Sequence, residues 1–295
     1  TVIVPGFGFL RDRFTTPHLV HWDMREGFAT SSELPGVRIP GAPFFGVMGL
    51  APSHELLANI NAREKSLHER GGAVFLPDTD MAVPADPAIA GEALRTISPH
   101  ETGGNLDIKQ FVKGTTVYLP VYQKGALFSV GDAHFAQGDG ESCGSAIETS
   151  AILHARFRVL TGVAAERGQT DVSFGNENGE RAPLDNSTRF YATTGTCLKG
   201  DGENLSEDLS LATRNALLNM VDYIGERCGL FGQALRFAFD QGPFAVDLHL
   251  ARLFGKAAPG LLRTQAALAY IFQRRIARLL GGFAGAAVIE FECLA

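Results

Sequence analysis

Residues 131–141, Gly-Asp-Ala-His-Phe-Ala-Gln-Gly-Asp-Gly-Glu, concentrate side chains that can do chemistry. Asp132, His134, Asp139 and Glu141 stand within this run, together with the amide of Gln137. Gly131, Gly138 and Gly140 allow sharp turns between them. Asp132 and His134 are two positions apart, which puts both side chains on one face of a strand. A carboxylate oxygen and an imidazole nitrogen can share one Zn²⁺ or another divalent cation. Asp139 and Glu141 repeat the spacing beyond Gly138, so a folded-back loop can bring a further ligand or a base. A cation held there would acidify a bound water and polarise a carbonyl. The ordinary alternative is a Gly-Asp turn with local hydrogen bonds. So many polar groups in so short a run favour a site.

Residues 101–109, Glu-Thr-Gly-Gly-Asn-Leu-Asp-Ile-Lys, form a second cluster. Asn105, Asp107 and Lys109 alternate and would share one strand face. Asp107 then reads as a metal ligand, and Lys109 as the neighbour that keeps a carboxylate ionised. A turn followed by an exposed strand accounts for these residues equally well. Cys143 raises a thiol mechanism, but the surrounding acids would raise its pKa and blunt it. Glu148 is within reach along the chain as a weaker candidate base. Thr1 has the chemistry of an N-terminal nucleophile, on the strength of one residue type alone. His18, His21, His54, His68, His154 and His249 read as structural, and Thr193–Thr196 as a turn.

These groups need elements to position them. Gly125–Val130 reads as a buried strand feeding the acidic loop. Thr1–Val4, residues 73–76 and Thr115–Leu119 read as further strands. Ala151–Leu160 alternates apolar and polar residues, the mark of a half-buried strand. A helix is expected from Ser53, its N-cap, to Arg70, with Gly71-Gly72 ending it. A second is expected over 207–228, capped by Ser206, with a stripe of Leu209, Ala212, Ala216, Leu217, Met220, Val221 and Ile224. A third is expected over 261–280. The fold class expected is mainly β with an α+β C-terminal part. It has a β-sandwich or jelly-roll-like body over 1–200 carrying the site, and a helical part over 201–295.

The chain has 295 residues, 45% hydrophobic and 20% charged, enough for a sizeable core. Its net charge of −6 has no basic block behind it, which argues against a nucleic-acid surface. Cys143, Cys197, Cys228 and Cys293 form no C-x-x-C pair, so a zinc ribbon is excluded and a reducing cytoplasm suits them. No apolar run reaches membrane-spanning length. The chain begins at Thr1 inside an apolar Val-Ile-Val run, so a separate N-terminal fragment or chain is an expected partner. Self-association into a homo-oligomer is expected too.

Several motifs in register carry a resemblance. They are Pro5-Gly-Phe-Gly, Leu34-Pro-Gly-Val-Arg-Ile-Pro, Ala51-Pro-Ser-His-Glu, Gly103-Gly-Asn-Leu-Asp-Ile-Lys, and Gly125 to Glu141 with Gly144-Ser-Ala-Ile-Glu after it. Over roughly residues 1–228 the chain closely resembles the acetamidase/formamidase family. The resemblance implies a metal-dependent amidohydrolase acting on small amides, mostly β, with a β-sandwich component. The family usually has a further β-rich segment before the point where Thr1 stands. Residues 229–295 fit its pattern poorly. His100 and Thr102 stand where it usually has Arg and Asn, which points to a different substrate preference, such as a γ-lactam.

The reading is hydrolysis of a small carboxamide to acid and ammonia. Asp132, His134 and Asp107 are expected to bind Zn²⁺ or another divalent cation, and Glu141 to act as general base. Gln137 and Asn105 are expected to donate to the oxyanion, with Lys109 beside them. The alternatives are a thiol amidase using Cys143 and a non-catalytic metal- or carbohydrate-binding β-sandwich.

Overall fold

The computed structural model describes residues 1–227, apart from 7, 9, 73, 75, 77–84, 95–97, 139, 167–168, 177–189 and 207, and residues 289–294. Asp139, part of the strand expected over 73–76 and all of the helix expected over 261–280 lie outside the described residues.

In chain order the strands begin with β1 (Val2–Ile3), β2 (His18–Leu19), β3 (Asp23–Arg25), β4 (Phe28–Thr30), β5 (Arg38–Pro40) and β6 (Phe44–Gly49). Helix α1 (His54–Glu69) follows, then β7 (Gly103–Asn105), β8 (Thr116–Tyr118), β9 (Ser129–Ala136), β10 (Ile147–Glu148) and β11 (Ile152–Phe157). The last elements are α2 (Val163–Glu166), β12 (Ser173–Asn176), β13 (Phe190–Thr193), α3 (Leu209–Arg227) and β14 (Ile289–Leu294). The described chain is thus mainly β. Two sheets dominate, a four-stranded one in the order β10-β9-β6-β7 and a five-stranded one in the order β11-β14-β8-β12-β13. Their described pairings are all antiparallel.

β6 is the anchor. Its sequence Phe-Phe-Gly-Val-Met-Gly is almost continuously apolar, as suits an interior strand, and Phe44, Phe45 and Met48 are buried. They join Phe111, Val112, Val117, Leu119, Val172 and Phe174 in one core that draws on both large sheets. Phe111 and Phe174 meet edge to face at 5.2 Å. Burying a side chain of this size contributes roughly 1.5–3 kcal/mol, so this cluster fixes β6 firmly. Leu153 and Ala155 of β11 pack on it while Ile152, His154 and Arg156 face outward, as the alternation predicts. The alternation fails at its end, where Phe157 and Val159 are exposed.

α1 starts and stops as expected. The Leu56 N–H donates to Ser53 Oγ at 3.2 Å, and Gly71 turns away with φ +76°. Arg63 on α1 grips Glu101 with both terminal nitrogens, at 2.7 and 2.9 Å, docking the helix on the turn before β7. α3 departs from expectation at its start. Asp208, not Ser206, is the cap: the Leu211 N–H donates to Asp208 Oδ1 at 2.9 Å. Ser206 precedes it in a left-handed turn, and Leu209 is exposed rather than part of the apolar stripe. Met220 is buried as predicted, whereas the side chains of Val221 and Ile224 lie outside the described set. No described helix is long and apolar enough to cross a membrane.

The strand at the acidic motif is also displaced. Gly125, Ala126 and Leu127 all have positive φ and form a turn, so the strand expected over Gly125–Val130 begins only at Ser129. β9 instead runs through Asp132 and His134 and ends at Ala136. The first half of the presumed loop is therefore sheet, held between β6 and β10. That placement gives the motif a rigid frame.

Candidate metal centre

His134 is completely buried in β9, opposite Phe44 on β6 and Glu148 on β10. The Phe44 ring meets the imidazole edge to face at 4.8 Å. Gln137 sets the state of the ring. Its Nε2 donates to the Asp107 carbonyl at 2.8 Å, which orients the amide, and its Oε1 lies 3.1 Å from His134 Nδ1. An oxygen there accepts, so Nδ1 carries the proton and, whenever the ring is neutral, Nε2 presents a lone pair.

That lone pair faces carboxylates. Nε2 lies 3.2 Å from Asp132 Oδ1, 3.4 Å from Glu141 Oε1 and 3.4 Å from Glu148 Oε2. None of the three meets it in hydrogen-bonding geometry, and Asp107 Oδ1 and Glu141 Oε1 are likewise buried without a partner. Ligand atoms of Asp107, His134 and Glu141 lie within 4.8 Å of one another, and so do those of Asp132, His134 and Glu148. Buried acceptors aimed at one point without donors are costly, and a divalent cation is the group that satisfies them together. One imidazole nitrogen with several carboxylate oxygens fits Zn²⁺ or a harder ion of the Mn²⁺ type.

Gly46 makes this convergence possible. Its carbonyl accepts the Leu106 and Asp107 N–H groups at 2.8 and 3.1 Å, turning the chain after β7 inward. A Cβ at Gly46 would lie 2.5 Å from Asp107 Oδ1, 2.5 Å from Asp132 Oδ2 and 2.9 Å from His134 Cε1. Asp107 and Asp132 themselves sit at φ +47° and +58°. Left-handed backbone at a non-glycine residue costs on the order of 1 kcal/mol or more, and such strain gathers at functional sites.

The charges shape each other. Burial, then the Asp132 charge, pushes Asp107 up to about 6. Burial, then the Asp107 charge, pushes Glu141 up to about 7. The neighbouring His134 imidazole outweighs burial and holds Asp132 below its ordinary value. Burial opposes the charged form of His134, but Asp132, Glu148 and Glu141 together raise it. Two acids are thus poised to take or give protons near neutrality, beside Asp132, which stays ionised.

Asp107, Asp132, His134, Glu141 and Gln137, all singled out in the sequence, come together. The route differs for one of them. β7 ends at Asn105, so Asn105, Asp107 and Lys109 do not share a strand face, and Asp107 enters from a loop. Asn105 is half-buried opposite Val47, and Lys109 is half-buried in the turn beyond; neither belongs to the ligand groups. Glu148 stands closer to the centre than its place in the sequence suggested, because β10 pairs with β9 at His134. Gly46 was missed. Its signal was a glycine inside a strongly apolar strand, which marks close approach of another group.

The alternative nucleophiles are otherwise engaged. Cys143 Sγ donates to the Ser145 carbonyl at 3.2 Å. Thr1 Oγ1 donates to the Ala146 carbonyl and accepts from the Trp22 indole N–H. A cavity of about 650 Å³ lies elsewhere, lined in part by Arg63, His100, Glu101, Thr196, Cys197 and Asn204, and includes none of the ligand residues.

Known proteins resemble the chain as follows. The sequence model of the acetamidase/formamidase family matches residues 3–238. An acetamidase of Mycolicibacterium smegmatis is 35% identical over 235 residues, covering 75% of this chain and 57% of that protein. A formamidase of Methylophilus methylotrophus is 34% identical over 233 residues, covering 74% and 56%. Among solved structures, a gamma lactamase from Delftia acidovorans aligns with a TM-score of 0.52 at 32% identity, over 74% of this chain and 56% of that one. The chain spans little more than half the length of these relatives. With most of its length matched by the family model and a third of the aligned positions identical, the chain belongs to the acetamidase/formamidase family.

Proposed function

We propose that the chain forms the catalytic part of a metal-dependent amidohydrolase that cleaves a small carboxamide to acid and ammonia. The observation that carries this reading is the His134 Nε2 lone pair facing the Asp132, Glu141 and Glu148 carboxylates, an arrangement that calls for a cation. Asp107, Asp132, His134 and Glu148 would hold it, as Zn²⁺ or a harder divalent ion. When bound, the cation would supply Lewis-acid polarisation of the amide carbonyl and acidify water. Glu141, buried beside the other carboxylates, would take a proton from the attacking water and return it to the leaving nitrogen. Gln137 fixes the imidazole tautomer and ties Asp107 to it. Asn105, half-buried at the end of β7, would donate to the developing oxyanion. The core shared by the two large sheets supports a β-sandwich body around this centre.

The test is ammonia release from formamide and acetamide, and ring opening of a γ-lactam, before and after chelation and with Zn²⁺ or Mn²⁺ restored. The expected result is turnover lost with chelator and regained with the cation. Ring opening as the faster reaction would assign the chain to lactams, the activity named for the Delftia acidovorans structure. A bound cation without turnover on any amide would overturn the enzyme reading in favour of a binding module.

A further inference from the structure

We infer that Ser145 is a positioning residue that acts through Glu148. Glu148 is, with Asp132, an exposed member of the ligand set: its side chain is 41% exposed, against 33% for Asp132 and 0% for His134. An exposed glutamate ordinarily samples several rotamers, and holding one costs side-chain entropy. Here one oxygen is pinned. Glu148 Oε1 accepts the Ala146 N–H at 2.8 Å and the Ser145 hydroxyl at 3.1 Å. With Oε1 occupied, Oε2 is the oxygen directed at His134 Nε2, 3.4 Å away.

Ser145 is itself buried and fixed from the other side. The Val2 N–H donates to its Oγ at 3.3 Å, and Thr1 Oγ1 donates to the adjacent Ala146 carbonyl. The hydroxyl proton has a second acceptor in the Ala146 carbonyl at 3.3 Å, but the Glu148 carboxylate is nearer and charged, so it takes the proton. The segment entering β1 therefore braces Ser145, Ser145 orients Glu148, and Glu148 completes the ligand set. This inference rests on the metal-centre reading for its purpose, but the Ser145–Glu148 link can be measured without a cation.

The experiment is a double-mutant cycle on the full chain with Ser145→Ala, Glu148→Gln and both together. Glu148→Gln keeps an acceptor for Ser145 and Ala146 while removing the charge. With cation affinity read by competition against a chromophoric chelator, Ser145→Ala should weaken Zn²⁺ or Mn²⁺ binding roughly 3- to 10-fold, the loss of about one ordinary hydrogen bond, since Glu148 keeps the Ala146 N–H. In the Glu148→Gln background the same change should alter affinity less than about 2-fold. A second readout is the urea midpoint of the chelated protein, which should fall on Ser145→Ala more in the wild type than in Glu148→Gln. Equal effects of Ser145→Ala in both backgrounds, by either readout, would overturn the inference. Failure of the wild type to bind any cation would overturn the metal-centre reading instead, and the urea cycle would still decide the Ser145–Glu148 link.

Discussion

Gln137 and His134 are joined through Oε1 and Nδ1 at 3.1 Å, and the same amide donates to the Asp107 carbonyl at 2.8 Å. One uncharged side chain therefore sets the tautomer of the buried imidazole and couples it to the loop that carries Asp107. Gln137→Ala removes both constraints while leaving every ligand in place. Outer partners of this kind typically contribute 10- to 100-fold to metal affinity. The variant should bind Zn²⁺ or Mn²⁺ more weakly by about that factor, in competition against a chromophoric chelator, with an unchanged circular dichroism spectrum. Affinity within 2-fold of wild type would show that the ring needs no such orientation.

Gly46→Ala tests the convergence directly. The new methyl would sit 2.5 Å from one oxygen of Asp107 and one of Asp132, so both carboxylates must move. The backbone φ at Gly46 lies outside the left-handed range, so alanine adds no backbone strain, and the buried His134 ring, 2.9 Å from the methyl, must give as well. A displacement near 1 Å at reacting groups costs on the order of 100-fold in rate. The expected outcome is amide turnover reduced by about that factor in steady-state assays, with thermal unfolding still cooperative.

Glu141→Gln separates binding from proton transfer. The amide cannot accept and return the proton, so turnover should fall by about 10²- to 10⁴-fold, the usual worth of a general base. The cation, held by Asp107, Asp132, His134 and Glu148, should still be detected by mass spectrometry under native conditions. Full activity would remove Glu141 from the mechanism.

The metal-free protein should lose stability as pH rises from roughly 4 to 7. Asp107 and Glu141 have folded values of about 6 and about 7, above their ordinary 3.8 and 4.5. In that window the folded chain keeps protons that the unfolded chain has released, so stability falls with pH, and the raised value of His134 carries the fall above 7. For Glu141 alone the cost is on the order of 3 kcal/mol. Glu141→Gln should therefore flatten the profile and make the chelated protein more stable at pH 8, and adding the cation to the wild type should do the same. Urea unfolding of chelated samples between pH 4.5 and 8 measures both effects.

Arg63→Ala should be strongly destabilising away from the centre. Arg63 and Glu101 are 17% and 15% exposed and paired through two short contacts, and Arg63 keeps Glu101 ionised against its burial. Removing one partner leaves a buried charge and costs about 3–5 kcal/mol. The fall in denaturation midpoint should shrink as pH drops and Glu101 takes up a proton.

The sequence by itself was enough to single out Asp132, His134, Gln137 and Glu141 as candidates and, through its motifs, to show the family. Asp132, His134, Gln137 and Glu141 stand within one short run, and local spacing brings such residues together in almost any fold. α1 was equally legible, because its cap Ser53 and its stop at Gly71 are local signals. What required tertiary structure was everything that depends on strand pairing. Asp107 approaches from a distant loop because the Gly46 carbonyl captures its N–H, not because it shares a strand face with Asn105 and Lys109. Glu148 enters because β10 pairs with β9 at His134. Gly46 matters only once three side chains meet over it. Pairing register joins residues far apart in sequence and leaves no periodic trace in either segment, so the elements could be read along the chain while their meeting point could not.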